Sequence, residues 1–294
     1  MSPYVLITPA HNEEQFIGGT IDGVLAQSLL PQKWVIVNDR STDGTGQVVE
    51  KKTAGIPFVT LVNLNSSGGR DFGRKALAFG RALEELKGLD YEYIGNLDAD
   101  ISVLPNYFAS LMREFELDPQ LGLAGGMVYT KSGQGYITGD KTLDSVGGAV
   151  QMFRKGCFEE VGGYLPLEHG GIDAAAEITA RMKGWKVRKF PEQAVYEQRR
   201  TGTANMGLLK SKIQEGRRFY SLGYGLVFYL LRCIYRAGNP PYVIGSGLAF
   251  WGFLNSLLRQ KPLALPPELA AYLRREQRAK LKRLFGLRGR KLTC

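Results

Sequence analysis

Cysteine is scarce in this 294-residue chain, and long uncharged apolar runs are absent. Cys157, Cys233 and Cys294 lie far apart, with neither an even disulfide framework nor metal-ligand spacing. That excludes a disulfide-stapled scaffold and a thiolate zinc site, and it points to unpaired thiols in a reducing compartment. The opening stretch MSPYVLITPAHNEE has no basic n-region, and its apolar run is too short for a signal peptide. The expected location is therefore the cytoplasm or the cytoplasmic face of the cell membrane. The longest charge-free apolar segment, YVIGSGLAFWGFLNSLL, covers 17 residues (242–258). A spanning helix needs about 20, so this run is borderline. It reads as a short or re-entrant segment, an interfacial helix, or a helix packed on the main domain. No Gly-x-Gly-x-x-Gly follows the first strand, and no Walker-type loop occurs, which argues against dinucleotide dehydrogenases and P-loop enzymes. Internal repeats and low-complexity segments are missing as well.

What is present is an unevenly charged α/β sequence. The hydrophobic share is 44%, and 37 glycines suit a folded protein with many turns. Residues 259–294 hold 11 of the 38 basic residues and 2 of the 28 acidic ones, so nearly all of the net charge of +10 sits in that tail. Such a tail suits an anionic lipid surface. Nucleic acid is not expected, because the aromatic residues precede the basic run and are not interleaved with it.

Strand and helix patterns alternate from the start. Strands are predicted at 4–8, 33–38, 58–63 and 91–97. Helices follow them: one with Phe16, Ile17, Ile21, Val24 and Leu25 on one face, one after STDGT, one over 70–86, and one with Pro105 in its first turn. Further strands are expected near 122–130, 146–154, 186–190 and 194–198, with a helix over about 174–183. This alternation implies a Rossmann-like doubly wound, mainly parallel sheet. Two domains are expected: a catalytic α/β domain over 1–205, and a helical, apolar then basic, membrane-associating region over 206–294.

Ligands of such sheets bind at the carboxyl ends of the strands. Here three polar clusters should meet on that rim: TPAHNEE, VNDRSTDGT and LDAD. With 11 aspartates in the chain, chance supplies about 0.4 Asp-x-Asp pairs, so the pair Asp98/Asp100 counts only in its context. Two carboxylates that close repel each other, and a divalent cation would offset the repulsion. Hard oxygen ligands suit Mg²⁺ or Mn²⁺ bridging a carboxylate and substrate phosphates. Arg70, Arg74 and Lys75 open a helix and suit phosphate near its N-terminus.

In this order and spacing, PAHNEE, VNDRSTDGT and LDAD resemble the inverting glycosyltransferases of family 2, which have a GT-A fold. The resemblance covers about residues 3–200 and extends to GGY at 162–164 and to Asp173, eleven residues ahead of GWKV. The family usually has Glu-Asp at that last position; here Ile172 replaces the glutamate. The segment QRRTG and the aromatic and arginine-rich stretch after it are similar to bacterial members of polysaccharide assembly.

Carried over, the resemblance implies that Pro9, Ala10, Asn12, Glu13 and Asp39 hold the nucleoside. Arg70 or Arg74 contacts the base or diphosphate, Asp98 faces the ribose, and Asp100 binds the metal. Asp173 is the general base. Glu197, Arg199 and Arg200 are secondary candidates for metal or diphosphate contact. His11 serves the turn, His169 is a candidate for the acceptor site, and Glu177 is read as a surface acid. The expected partners are a nucleoside-diphosphate sugar, a saccharide or lipid-linked acceptor, and a membrane surface. Two alternatives stay open: a non-catalytic nucleotide-sugar binder, since Ile172 breaks the acid pair, and a sugar-phosphate nucleotidyltransferase.

Overall fold

The computed structural model describes residues 2–64, 73–138, 142–198, 207–238 and 241–286. It divides into two compact units, 1–168 with 172–201, and 169–171 with 202–294.

Among the described residues, the first unit is built on one mixed sheet of nine strands. Four are mutually parallel: β1 (Tyr4–Ala10), β2 (Lys33–Asp39), β3 (Val59–Leu64) and β4 (Tyr93–Leu97). The remainder are β5 (Ile101–Val103), β6 (Leu121–Ser132), β7 (Gly135–Ile137), β8 (Val150–Arg154) and β9 (Lys186–Glu197). The order is β3-β2-β1-β4-β8-β6-β9-β5, with β7 paired to β6. The parallel half matches the strand–helix alternation. Beyond β4, β8 runs antiparallel to both its neighbours, so the sheet is mixed rather than simply doubly wound.

The helices of this unit are α1 (Ile17–Leu25), α2 (Thr45–Thr53), α3 (Arg74–Glu84), α4 (Tyr107–Leu117), α5 (Lys155–Val161) and α6 (Ile172–Met182). Alternate residues of the central strands feed two cores, because strand side chains point to opposite faces with period two. Tyr4, Leu6, Trp34 and Ile36 pack with Ile17, Ile21 and Val24 of α1 and with Phe108, Leu111 and Phe115 of α4. Val5, Ile7, Val35 and Val37 pack on the other face with Phe79 and Ala82 of α3, Phe158 of α5 and Ala180 of α6.

Three local expectations need correction. Pro105 lies ahead of α4, whose N-cap is Asn106, and its carbonyl accepts a hydrogen bond from Ser28 N (2.8 Å). The strand β5 occupies the preceding residues, pairing Ile101–Val103 with β9. The two strands expected at 186–190 and 194–198 are a single strand, β9. It runs alongside β6 and absorbs Pro191–Gln193 through a register shift between Gly126 and Met127. Pro9 and Ala10 are the last residues of β1, paired with Val37 and Asn38, so the turn begins two residues later than the motif suggests.

The second unit is helical: α7 (Leu208–Ser221), α8 (Leu226–Tyr235), a 3₁₀ turn at Arg236–Gly238, α9 (Tyr242–Leu258) and α10 (Pro267–Leu284). Its α7 and α9 cross at backbone contact. A Cβ on Gly216 would lie 1.9 Å from the Ala249 carbonyl oxygen, and one on Gly252 would lie 2.2 Å from that of Ile213. Phe219, Tyr229 and Phe253 form its aromatic core, with Tyr229 and Phe253 stacked at 4.6 Å. The uncharged 17-residue run is α9 itself. It buries Gly245, Ala249, Gly252 and Phe253 and leaves Val243, Ile244, Trp251 and Leu258 exposed. Among the described residues, no helix is long and apolar enough to cross a membrane.

Candidate active site

Because β1, β2 and β4 are parallel, their carboxyl ends share one rim. The loop after β1 and the loop after β2 are tied together there. Asn12, in the left-handed region at φ 57°, accepts Thr42 N on Oδ1 (2.8 Å), and its own amide donates to Ser41 Oγ (3.0 Å). Asparagine tolerates this conformation better than most residues. Glu13, buried, donates its amide to Thr45 Oγ1 (2.8 Å), and His11 Nδ1 donates to the Asp39 carbonyl (2.6 Å). The amide acid motif thus builds the rim's frame as well as facing it.

Asp39 closes β2 and is largely buried between two guanidiniums. Arg40 Nε lies 2.9 Å from Oδ1, and Arg74 Nε lies 3.4 Å from Oδ2. Burial pushes the Asp39 carboxyl up, but Arg40 and Arg74 outweigh it and hold the group below the usual carboxylate range. Arg74, at the start of α3, is therefore brought to the Asp39 side of the rim.

The Asp-Ala-Asp segment after β4 is fixed from beneath by α1. Thr20 Oγ1 donates to the Ala99 carbonyl (2.8 Å) and accepts from Ile101 N (3.1 Å), while Asp98 N donates to the Ala149 carbonyl (2.9 Å). Ala99 and Asp100 are buried, whereas the Asp98 side chain is partly exposed. Asp98 Oδ1 accepts from Lys75 Nζ and from Asn96 Nδ2 (3.1 Å). The Gly148 carbonyl receives the same two donors, at 3.3 and 2.8 Å.

Asp173 approaches this cluster from the first turn of α6. A Cβ on Gly148 would lie only 2.8 Å from Asp173 Oδ2, so the carboxylate rests directly on the bare Cα of that glycine. The Tyr164 hydroxyl feels the charge of both acids. It donates to Gln151 Oε1 (2.7 Å), and burial, followed by the charges of Asp173 and Asp98, pushes its ionisation well above the usual value. Gln151 in turn donates to the Asp173 carbonyl (3.5 Å). Asp98 and Asp173, 75 positions apart in sequence, so share one set of neighbours. Ile172, where the family glutamate is usual, is buried.

Asp100, one residue before β5, and Glu197, the last residue of the neighbouring β9, are both buried acids. Ile101 pairs with Glu197, Gln198 N donates to the Asp100 carbonyl (2.9 Å), and Glu197 Oε2 accepts from Thr130 Oγ1 (2.7 Å). Among the described residues no group of three or more His, Cys, Asp or Glu side chains is arranged as a metal cage. Two carboxylates at the strand ends still match a hard cation whose remaining ligands come from substrate phosphates and water. Glu177, expected at the surface, is buried instead. It accepts from Val146 N (3.0 Å) and Ser145 Oγ (3.0 Å) and pairs with Arg181, with burial raising its carboxyl. It anchors the segment leading to Gly148. Arg70, Arg199 and Arg200 lie outside the described residues, and His169 belongs to the second unit.

Thr20, Asn96, Gln151 and Tyr164 were not singled out as site residues from the sequence. Tyr164 had a visible signal in the GGY motif; the others are single polar residues inside otherwise ordinary segments.

A family model described as Glycosyl transferase family 2 matches residues 5–165, over half of the chain. The chain belongs to glycosyl transferase family 2. It is similar to the poly-β-1,6-N-acetyl-D-glucosamine synthase of Staphylococcus aureus, with 25% identity over 200 residues, covering 62% of this chain and 46% of the relative. The Staphylococcus epidermidis synthase is 22% identical over 211 residues, covering 64% and 46%. The chain thus spans about half the length of the curated relatives it matches. Two solved structures share the fold. The mannosyltransferase PcManGT of Pyrobaculum calidifontis, in complex with GDP-Man and Mn²⁺, aligns over 97% of this chain and 82% of that one, with TM-score 0.55 and 18% identity. S. aureus TarS 1–349, in complex with UDP-GlcNAc, aligns over 92% and 78%, with TM-score 0.56 and 14% identity. The GT-A fold expectation is met.

Proposed function

We propose that the chain transfers one sugar from a nucleoside-diphosphate donor to an acceptor hydroxyl, with inversion at the anomeric carbon and with Mg²⁺ or Mn²⁺. The observation that carries this reading is the convergence of Asp98 and Asp173 on Gly148 and Tyr164, at the carboxyl end of β4. Asp39 with Arg74, and the loop from Pro9 to Glu13, bind the nucleoside. Asp98, held by Lys75 and Asn96, meets the ribose. Asp173 removes the acceptor proton. The resulting oxygen attacks the anomeric carbon on the face opposite the diphosphate, a C–O bond forms, and the bond to the diphosphate oxygen breaks. Asp100, with Glu197 beside it, would hold the cation, which supplies charge stabilisation for the departing diphosphate. Arg70, Arg199 and Arg200 are proposed to add positive charge on the diphosphate.

The acceptor is proposed to be a saccharide, carried on a lipid and reached from the cytoplasmic face of the cell membrane. Support comes from the exposed apolar residues Ile244, Trp251 and Leu258 of α9 and from the basic tail after it. Residues 1–205 form the catalytic domain in this reading, and 206–294 the membrane-associating region.

The test combines a panel of UDP-, GDP-, dTDP- and CDP-sugars with the purified chain, with and without Mn²⁺. One donor should bind in a metal-dependent manner and lose binding in Asp100→Ala. A chain that binds none of them is not a sugar transferase of this kind.

A further inference from the structure

The second unit contains a small polar cavity that sugar transfer does not use. It has a volume of about 60 Å³ and lies between α7, α8 and α9, with Lys212, Glu215, Tyr229, Arg232 and Arg236 among its lining residues. A single water needs ~10–15 Å³ by this measure, so there is room for about four or five oxygen-sized groups.

Its electrostatics are unbalanced. Among the described residues lining it, three cationic side chains face a single carboxylate. Glu215 pairs with Lys212 at 2.8 Å and lies 3.9 Å from Arg236, while Arg232 makes no ion pair among the described residues. The Arg232 guanidinium carbon lies over the Phe219 ring, 4.8 Å from its centroid. Its Nε–H is buried with no acceptor among the described residues. The Tyr229 hydroxyl, also buried and near the Cys233 thiol, has no oxygen or nitrogen partner among the described residues. A buried charged donor left without an acceptor is costly, and buried N–H groups in native proteins nearly always find one. An acceptor with several oxygens and at least one negative charge would satisfy both groups and offset the two excess positive charges.

We infer that this cavity is a binding site for a phosphate group. The tetrahedral anion fits the volume, and charge-assisted bonds from arginine are the strong ones for such a ligand. A free phosphate and the headgroup of an anionic phospholipid share this chemistry. Tyr242, which lines the cavity, and the adjoining Val243 and Ile244 are exposed. The inference uses none of the residues assigned to sugar transfer and stands or falls separately from that reading.

The test titrates the full chain with inorganic phosphate at low ionic strength and follows the backbone amide resonances of Gly245 and Ser246, which line the cavity. Saturable shifts are expected, with at least tenfold weaker binding in Arg232→Gln and in Arg236→Gln. Donor-sugar binding should be unchanged in both, and native amide dispersion of the α7–α10 resonances reports that the second unit of each variant is folded. If Arg232→Gln fails to fold, Arg236→Gln decides. A second arm measures cosedimentation with phosphatidylglycerol/phosphatidylcholine vesicles. Phosphate shifts together with a tenfold loss of vesicle binding in the variants identify a lipid headgroup. Phosphate shifts with vesicle binding unaltered identify a free phosphate. Absence of saturable shifts at these amides, or equal phosphate affinity in wild type and folded variants, overturns the inference.

Discussion

Gly148 carries no side chain, yet its position governs two of the acids proposed to act in transfer. Its carbonyl shares Lys75 and Asn96 with Asp98, and its Cα supports Asp173. A methyl group there cannot be accommodated without moving the Asp173 carboxylate. Gly148→Ala should therefore lower kcat by about 10²-fold, the scale of a misplaced general base, with donor affinity changed far less. Steady-state kinetics beside donor titration separate the two effects. Asp39 gives a pH prediction. Its folded-state pKa is below the ordinary value of 3.8, so its contribution to stability is present above that pH and is lost as pH falls through the lower folded value. Between pH 5 and pH 2.5, thermal melting should fall more steeply for wild type than for Asp39→Asn. Equal slopes would show that the Arg40 and Arg74 contacts contribute nothing to folding. At this scale the sequence was only partly legible. The aspartates stood out because two acids in a strand-end turn are unusual. Thr20, Asn96 and Gln151 did not, since their roles come from partners 79, 52 and 13 positions away.

At the scale of elements, buried strands and amphipathic helices were readable because period-two and 3.6-residue patterns are strong where one side of an element faces a core. What failed were features set by pairing. The segment β5 is three residues long, and only its pairing with β9 makes it a strand. The two strands expected at 186–190 and 194–198 are one because the register shift opposite Gly126 and Met127 lets the strand continue. The antiparallel course of β8 carries no local mark in its own residues. The crossing of α7 and α9 yields a prediction. Gly216→Leu places bulk where Ala249 backbone already lies, and should cost several kcal/mol of stability in the second unit, in the range of severe overpacking. Limited proteolysis should find new cleavage in 207–286, while protection within residues 2–64 is retained. The exposed face of α9 yields another. Ile244→Glu with Trp251→Glu should reduce cosedimentation with anionic vesicles at least tenfold, with catalysis on a water-soluble acceptor preserved. Unaltered cosedimentation would remove α9 from any membrane contact.

At the scale of the whole molecule, family membership and fold rest on the match over residues 5–165 and on the shared GT-A architecture, whereas donor, acceptor and metal use rest on the site. The order of the three rim motifs was legible because a parallel sheet brings successive strand ends to one edge. Ile172 bears on the central question, since a buried isoleucine stands where a second acid is usual, and in the proposed mechanism Asp173 acts alone as the base. The direct measurement is turnover of the donor that binds, with its accepted sugar, in wild type and in Asp173→Asn. The account predicts unchanged, metal-dependent donor binding in the variant, with kcat lower by 10²–10⁴-fold and a wild-type product of inverted anomeric configuration. Wild-type turnover in Asp173→Asn, or a product that retains the donor's configuration, would contradict it.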